Sequence, residues 1–138
     1  MAAETRAQLL KKAVELAEKV GHVFIATSDV DGRPHLAAAR TLELKGDGRL
    51  DVREWFCPGT ISNVHNNRHV SIVVWEAGSD TGYQLLGEVE QMMDIGMLDG
   101  YTPDMKSKWP LPQVESKLLV RVNKVIDFRR APHSDIEE

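Results

Sequence analysis

The sequence predicts a mainly β domain, folded as a barrel or a sandwich, with one long helix at its start and one short helix further along. Six short segments are rich in β-forming residues, several of them alternate apolar and polar residues with a period of two, and most are joined by turn signals of the hairpin type. Only one segment repeats its apolar residues with the period of a helix. The helix–strand alternation of a parallel sheet is missing, which disfavours a flavodoxin-type fold. With 138 residues, the chain is expected to form one domain, 1–138, that needs no disulfide.

The long helix is predicted at the N-terminus. Six apolar residues form one stripe at helical spacing: Leu9, Leu10, Ala13, Leu16, Ala17 and Val20. Thr5, with Gln8 three residues later, fits a capping box at the start of the helix, and Gly21 fits a stop at its end. We expect this helix to cover one open end or face of the strands.

The strands are predicted over residues 23–27, 35–44, 49–56, 70–75, 83–93 and 118–128. The second strand is expected to place four residues on one core face: Leu36, Ala38, Leu42 and Leu44. Gly87 interrupts the fifth strand and predicts a bulge or the close approach of another backbone. The remaining predictions are a short helix over 60–66, a loop over 94–112 and a flexible polar tail over 131–138.

The loop between the second and third strands predicts their register. A three-residue loop with Gly48 in the left-handed conformation pairs apolar residues across the core face. The two pairs are Leu44 with Leu50 and Leu42 with Val52. A four-residue loop would place the leucines beside charged residues, so the three-residue loop is favoured. In the favoured register, Arg40 falls opposite Glu54.

Arg40 lies on the apolar face of its predicted strand, where an unpaired charge is costly. Either Glu54 neutralises Arg40 across the strands, or Arg40 binds an anionic group of a ligand that enters the barrel mouth. The two interpretations are compatible, because Glu54 can also hold an arginine that binds a ligand.

The segment 57–63 has the chemistry of a phosphate cradle. Gly59 lets the backbone approach a ligand closely, and a helix N-terminus presents N–H groups that lack helical partners. The hydroxyl of Thr60 adds one donor. The alternative is that Thr60 only caps the short helix. Cys57 is interpreted as a small core or rim residue, because no histidine stands at a diagnostic spacing from it.

Charge and composition exclude several classes of partner. The formal net charge of -4, with acidic and basic residues interspersed, argues against nucleic acid. No apolar run approaches the roughly 20 residues of a membrane-spanning helix. A single cysteine and an N-terminus unlike a signal peptide predict a cytoplasmic protein. His65 and His69 are separated by a predicted helix end, so no metal site is expected.

Six pieces of the chain carry a resemblance to a known family. They are residues 22–27, 31–36, 58–64, 68–72 and 82–87, and the pair Lys108 and Trp109. In this order they resemble the pyridoxamine 5'-phosphate oxidase-like flavin-binding proteins with a split-barrel fold. The resemblance is strongest to the small FMN-binding proteins of that group, and it extends over residues 5–128.

The resemblance implies a six-stranded antiparallel Greek-key split barrel, a homodimer, and one FMN per subunit at the subunit interface. By the same resemblance, the residues that line the phosphate and the ring edge are Ala38, Ala39, Arg40 and Thr41. Those along the isoalloxazine ring are Trp55, Phe56 and Cys57. Gly59 and Thr60 would hold the phosphate, and Gln84 would approach the ring. Trp109 would come from the partner subunit and cover the flavin.

One departure from the family pattern concerns the phosphate. Many relatives carry a lysine next to the position of Thr60, where this chain has Gly59 and Ile61. Arg40 is the candidate to supply the missing charge. The resemblance thus predicts an FMN-binding protein and a flavin-dependent oxidoreductase that acts on a small molecule or an electron partner. The alternatives are a non-enzymatic dimeric barrel that has lost its cofactor, and a relative that binds a deazaflavin or haem.

Overall fold

The computed structural model describes residues 4–55, 58–97 and 114–137, and these ranges contain two helices and seven strands. The helices are α1 (Arg6–Val20) and α2 (Pro58–Asn66). The strands are β1 (Val23–Ser28), β2 (Pro34–Ala39), β3 (Thr41–Leu44), β4 (Leu50–Trp55), β5 (His69–Glu76), β6 (Thr81–Met97) and β7 (Val114–Asp127). Neither of the two described helices is long and apolar enough to cross a membrane.

The strands pair antiparallel in one sheet, in the order β2-β1-β5-β6-β7-β4-β3. The two edge strands, β2 and β3, follow each other along the chain and are separated only by Arg40. Because one residue joins the two edges, the sheet curls back on itself as a half-barrel around its core. The prediction of a mainly β, antiparallel barrel with two helices is confirmed, with seven strands instead of six.

The extra strand arises because the predicted strand 35–44 is divided at Arg40. In β2, Ala39 is buried in the core, whereas Leu36 is 64% exposed. In β3, the buried residue is Leu42, so the core-facing positions change from odd to even across Arg40. A shift of one residue moves side chains to the opposite face of a sheet. The predicted core face is therefore right for Leu42 and Leu44, and wrong for Leu36 and Ala38.

Helix α1 begins and ends where the sequence predicts. The N–H of Gln8 donates to Thr5 Oγ1 at 3.2 Å, and the N–H of Thr5 donates to Gln8 Oε1 at 2.8 Å, which completes the capping box. Gly21 follows the helix at φ 95°, a left-handed conformation that glycine adopts without a steric penalty. Between these two caps, the apolar stripe of α1 packs on the core.

Gly87 lies at a bulge between β6 and β7. The register of the two strands shifts between Leu86 and Gly87. A Cβ atom at Gly87 would lie 2.4 Å from the carbonyl oxygen of Arg121 and 3.0 Å from Val120 Cγ1. Both the bulge and the close approach of another backbone, predicted as alternatives from the sequence, are present at this glycine.

The C-terminal segment 128–137 contacts the turn between β5 and β6 and the start of α1. The carboxylate of Asp80 accepts three hydrogen bonds: from the N–H of Arg130 at 2.7 Å, from the N–H of Ala131 at 2.9 Å and from Trp75 Nε1 at 2.8 Å. These bonds, the one from Arg130 first, lower the pKa of Asp80 from 3.8 to about 2. Further along, Glu137 Oε1 pairs with Arg6 Nη2 at 2.9 Å. Two carboxylates therefore fasten this segment to the domain.

Replacing Asp80 with asparagine is expected to lower the free energy of unfolding at neutral pH. The carboxylate accepts hydrogen bonds through two charged oxygens, whereas the amide has only one acceptor oxygen and no charge. The pKa of Asp80 is lower in the folded protein than in the unfolded chain, so the stabilisation is complete above about pH 4 and is lost as the pH falls through about 2. Urea unfolding of both proteins should therefore show a difference that is constant near neutrality and shrinks in acid. A difference that stays the same at every pH would contradict this role of the Asp80 charge.

Candidate functional site

The first turn of α2 contains an unsatisfied buried hydroxyl. Thr60 is completely buried, and its Oγ1 has no hydrogen-bond partner among the described residues. A buried polar group without a partner costs about 1–3 kcal/mol. The N–H groups of a first helical turn also lack partners inside the helix. An acceptor oxygen placed at this end of α2 would satisfy both, so the turn is a candidate anion site.

The position of α2 is fixed by its buried face. Thr60, Asn63 and Val64 are buried, at the i, i+3 and i+4 spacing of one helix face. Within that face, Asn63 Nδ2 donates a hydrogen bond of 3.0 Å to Thr27 Oγ1 of β1, in a buried environment. The first turn of α2 is therefore held against the β1–β2 side of the sheet.

His35 contacts the first turn of α2 from the neighbouring strand β2. A Cβ atom at Gly59 would lie 3.0 Å from His35 Nε2 and 3.4 Å from Cε1, so the imidazole ring rests on the helix backbone. Both His35 and Gly59 are exposed to solvent. Sequence reasoning missed His35, because no local pattern reports a contact between residues 24 positions apart.

A second group of candidate residues lines a cleft of about 710 Å³, which we call the two-arginine cleft. It lies between the end of α1 and strands β3 and β4, and its lining includes Arg40, Thr41, Arg53, Glu18 and Glu43. Arg53 Nε is buried and has no hydrogen-bond partner among the described residues. Arg53 is not among the site residues predicted from the sequence, although the predicted register pairs it with Thr41, as the structure does.

The predicted register around Arg40 is confirmed. Leu44 pairs with Leu50, and Leu42 pairs with Val52. Arg40 itself lies between β2 and β3, is exposed, and donates its backbone N–H to the carbonyl oxygen of Arg53 at 2.8 Å. The side chain of Glu54 lies outside what the structure describes, so the pairing of Arg40 with Glu54 stays a prediction.

The other described candidates belong to different surfaces. Ala39 is buried in the core, whereas Ala38 is exposed on the outer face of β2. Gln84 lies on β6, and its Nε2 donates to Ser71 Oγ at 2.9 Å. Ala38 pairs with Phe24, Phe24 with Val73, and Val73 with Gln84, so these residues form one row across four strands. At about 4.8 Å per strand, Ala38 and Gln84 lie roughly 14 Å apart on the same face.

Four of the predicted site residues cannot be located by their side chains. Phe56, Cys57 and Trp109 lie outside the described residues, and Trp55 is described only by its backbone, which pairs with Glu115. The loop predicted over 94–112 is wrong for residues 94–97, because β6 continues to Met97, and the rest of that range lies outside the described residues. In the described ranges, no cluster of three or more histidine, cysteine and acidic residues could hold a metal ion.

Comparison with solved structures finds the same fold in flavin-related proteins. A pyridoxamine 5'-phosphate oxidase-related, FMN-binding protein from Nostoc punctiforme matches with a TM-score of 0.63, at 10% identity over 96% of this chain and 89% of that chain. An FMN-binding protein from Syntrophomonas wolfei matches with a TM-score of 0.60, at 19% identity over 88% of each chain. An F420 reductase matches with a TM-score of 0.56, at 16% identity over 90% of this chain and 98% of that chain. No protein-family model and no curated protein sequence matches the chain.

These structures agree with the resemblance found in the sequence at the level of the fold. Their identities to this chain are low, yet each likeness covers most of both chains. In this chain, the matched fold consists of the curled antiparallel sheet and two helices. The chain therefore has the split-barrel fold of the pyridoxamine 5'-phosphate oxidase-like, FMN-binding proteins.

Proposed function

We propose that this protein binds FMN and that the first turn of α2 receives the phosphate group. The observation that carries the proposal is the hydroxyl of Thr60, which is fully buried and has no partner among the described residues. A phosphate oxygen is an acceptor for this hydroxyl and for the N–H groups of the same turn. The fold shared with FMN-binding proteins supports the same assignment.

The two-arginine cleft holds two cationic side chains, Arg40 and Arg53, together with the carboxylates of Glu18 and Glu43. Arg53 lies on β4, which ends at Trp55, and α2 begins three residues later. Three residues span at most about 11 Å, so the start of α2 stays close to the end of β4. Arg40 and Arg53 are proposed to supply the positive charge that a lysine beside Thr60 supplies in the family that the sequence resembles, and Glu18 and Glu43 of the same cleft oppose part of that charge.

A bound flavin would supply the redox chemistry, by taking up or releasing electrons or a hydride. The chain itself would supply placement. Thr41 lines the two-arginine cleft, and Ala38 and Gln84 share the outer face of the sheet. These three residues are proposed to contact the flavin ring and its edge. The protein is proposed to be an oxidoreductase that acts on a small molecule or an electron partner.

Titration of the purified protein with FMN, followed by flavin absorbance and fluorescence, tests the proposal. We expect one FMN per chain, and weaker binding of riboflavin, which lacks the phosphate. No binding at high micromolar FMN would contradict the proposal and would favour a barrel that has lost its cofactor. Binding of the deazaflavin F420 or of haem, with none of FMN, would contradict the choice of cofactor.

The proposed active form is a homodimer. Phe24, Leu36, Ala38 and Val73 form an apolar area on the outer face of β1, β2 and β5, which we call the outer patch. Leu36 is 64% exposed and Phe24 is 38% exposed. Neighbouring exposed apolar side chains are typical of an interface. We assign a second copy of this chain as the occupant, because a two-fold axis lets one such area cover itself and the resemblance implies a dimer.

Replacing Leu36 with lysine is expected to shift the protein from dimer to monomer, because each copy would then bury a charge in the outer patch. Sedimentation equilibrium measures the change. Ile136→Lys is the control, because Ile136 is also strongly exposed, at 72%, but belongs to the C-terminal segment. A wild-type protein that sediments as a monomer, or a Leu36→Lys variant that stays dimeric, would contradict the assignment.

A further inference from the structure

We infer that His35 binds the phosphate group together with the first turn of α2. This inference rests on the proposed function and adds a ligand-binding residue to it. His35 lies on β2, outside the helix, and its ring contacts the helix backbone at Gly59. The phosphate would then be held from two sides, by the helix and by the strand.

The geometry at Gly59 carries the inference. The missing side chain leaves room for the ring, since a Cβ atom there would lie 3.0 Å from Nε2, 3.4 Å from Cε1 and 3.5 Å from Cδ2 of His35. The ring thus occupies the space beside the first-turn backbone and presents Nε2 at that turn. Because His35 and Gly59 are both exposed, a ligand can reach the ring and the Gly59 backbone from solvent.

The contact between strand and helix is held in place by a buried hydrogen bond. His35 pairs with Thr27 across β1 and β2. The hydroxyl of Thr27 in turn accepts the 3.0 Å hydrogen bond from Asn63 of α2. His35 is therefore the cross-strand neighbour of the residue that anchors α2, so its distance from the first turn is set by the fold.

The donors on and around the first turn of α2 suit a phosphate monoester. The imidazole contributes an N–H donor. The unsatisfied hydroxyl of Thr60 and the first-turn N–H groups contribute the others. Only FMN carries a phosphate that this ring N–H can reach, which makes His35 a source of selectivity for FMN over riboflavin.

Titrations of FMN and riboflavin into wild-type protein, His35→Ala and His35→Gln test the inference. We expect His35→Ala to weaken FMN binding roughly tenfold and to leave riboflavin binding unchanged. His35→Gln should recover part of the loss, because its amide still donates. His65→Ala, an exposed histidine on the last turn of α2, is the control and should bind both flavins as the wild type does.

Two outcomes would overturn the inference while leaving FMN binding intact. One is unchanged FMN affinity in His35→Ala. The other is an equal loss of affinity for FMN and riboflavin, which is expected if the His35 ring only supports the structure of the site. Failure of the wild type to bind either flavin would instead contradict the proposed function. In that case inorganic phosphate is the probe, and the inference requires it to move the NMR signals of the His35 ring and of the Thr60 N–H.

Discussion

Replacing Thr60 with valine is expected to weaken FMN binding about tenfold without lowering the stability of the protein. The hydroxyl of Thr60 is buried and has no partner among the described residues, so in the free protein its removal takes away an unsatisfied group. We expect the free energy of unfolding to stay constant or to rise by about 1 kcal/mol. The loss of affinity follows because the phosphate would no longer meet this donor. Urea unfolding and FMN titration measure the two effects separately.

Thr27→Val is the matched control for this variant. Thr27 is also a buried threonine of the same region, but its hydroxyl accepts the hydrogen bond from Asn63. Removing it leaves the Asn63 amide without that acceptor, so Thr27→Val should destabilise the protein by about 1–3 kcal/mol. Only Thr27→Val is thus expected to lower the free energy of unfolding. Equal destabilisation by both would show that Thr60 has a partner in the free protein, and it would remove the main support for the phosphate site.

Replacing Gly87 with alanine is expected to destabilise the protein by at least about 2 kcal/mol. The new Cβ atom would lie 2.4 Å from the carbonyl oxygen of Arg121, well inside van der Waals contact. That oxygen belongs to the backbone of β7, so relief requires β6 and β7 to separate where they are paired. Urea unfolding measures the change in the free energy of unfolding.

Gly46→Ala is the control for the glycine experiment. Gly46 lies in the turn between β3 and β4, and a Cβ atom there would meet no atom within 4 Å. A tolerated glycine-to-alanine change is neutral or stabilising by a few tenths of a kcal/mol or more, because it restricts the unfolded chain. If Gly87→Ala were as well tolerated as Gly46→Ala, this result would contradict the close approach of β6 and β7 at the bulge.

The parts of the fold that the sequence predicts correctly depend on neighbours along the chain. The capping box of Thr5 and Gln8 acts over one helical turn, so its residues are sufficient to identify it. The register of β3 and β4 follows from a short loop and from two pairs of apolar residues that must share one face. Gly87 is recognisable because a glycine inside a strand usually marks a bulge or a close approach of another backbone.

The parts that the sequence does not predict depend on distant contacts or on a break in a pattern. The core-facing positions change from odd to even at Arg40. The amino-acid sequence alone is equally compatible with one uninterrupted strand over these residues. The contact of His35 with Gly59 joins two elements that only the folded chain brings together. The cleft around Arg53 likewise depends on how α1 lies beside β3.

The connection of β2 to β3 through Arg40 has a consequence for self-association by strand pairing. An open sheet has two edge strands whose unpaired N–H and C=O groups can recruit further strands and lead to aggregates. Here the two edge strands are short, with six residues in β2 and four in β3, and they run into each other through Arg40. An incoming strand would meet only a few free backbone groups before the chain changes direction. The same bend that divides the predicted strand therefore protects the sheet from growing at its edges.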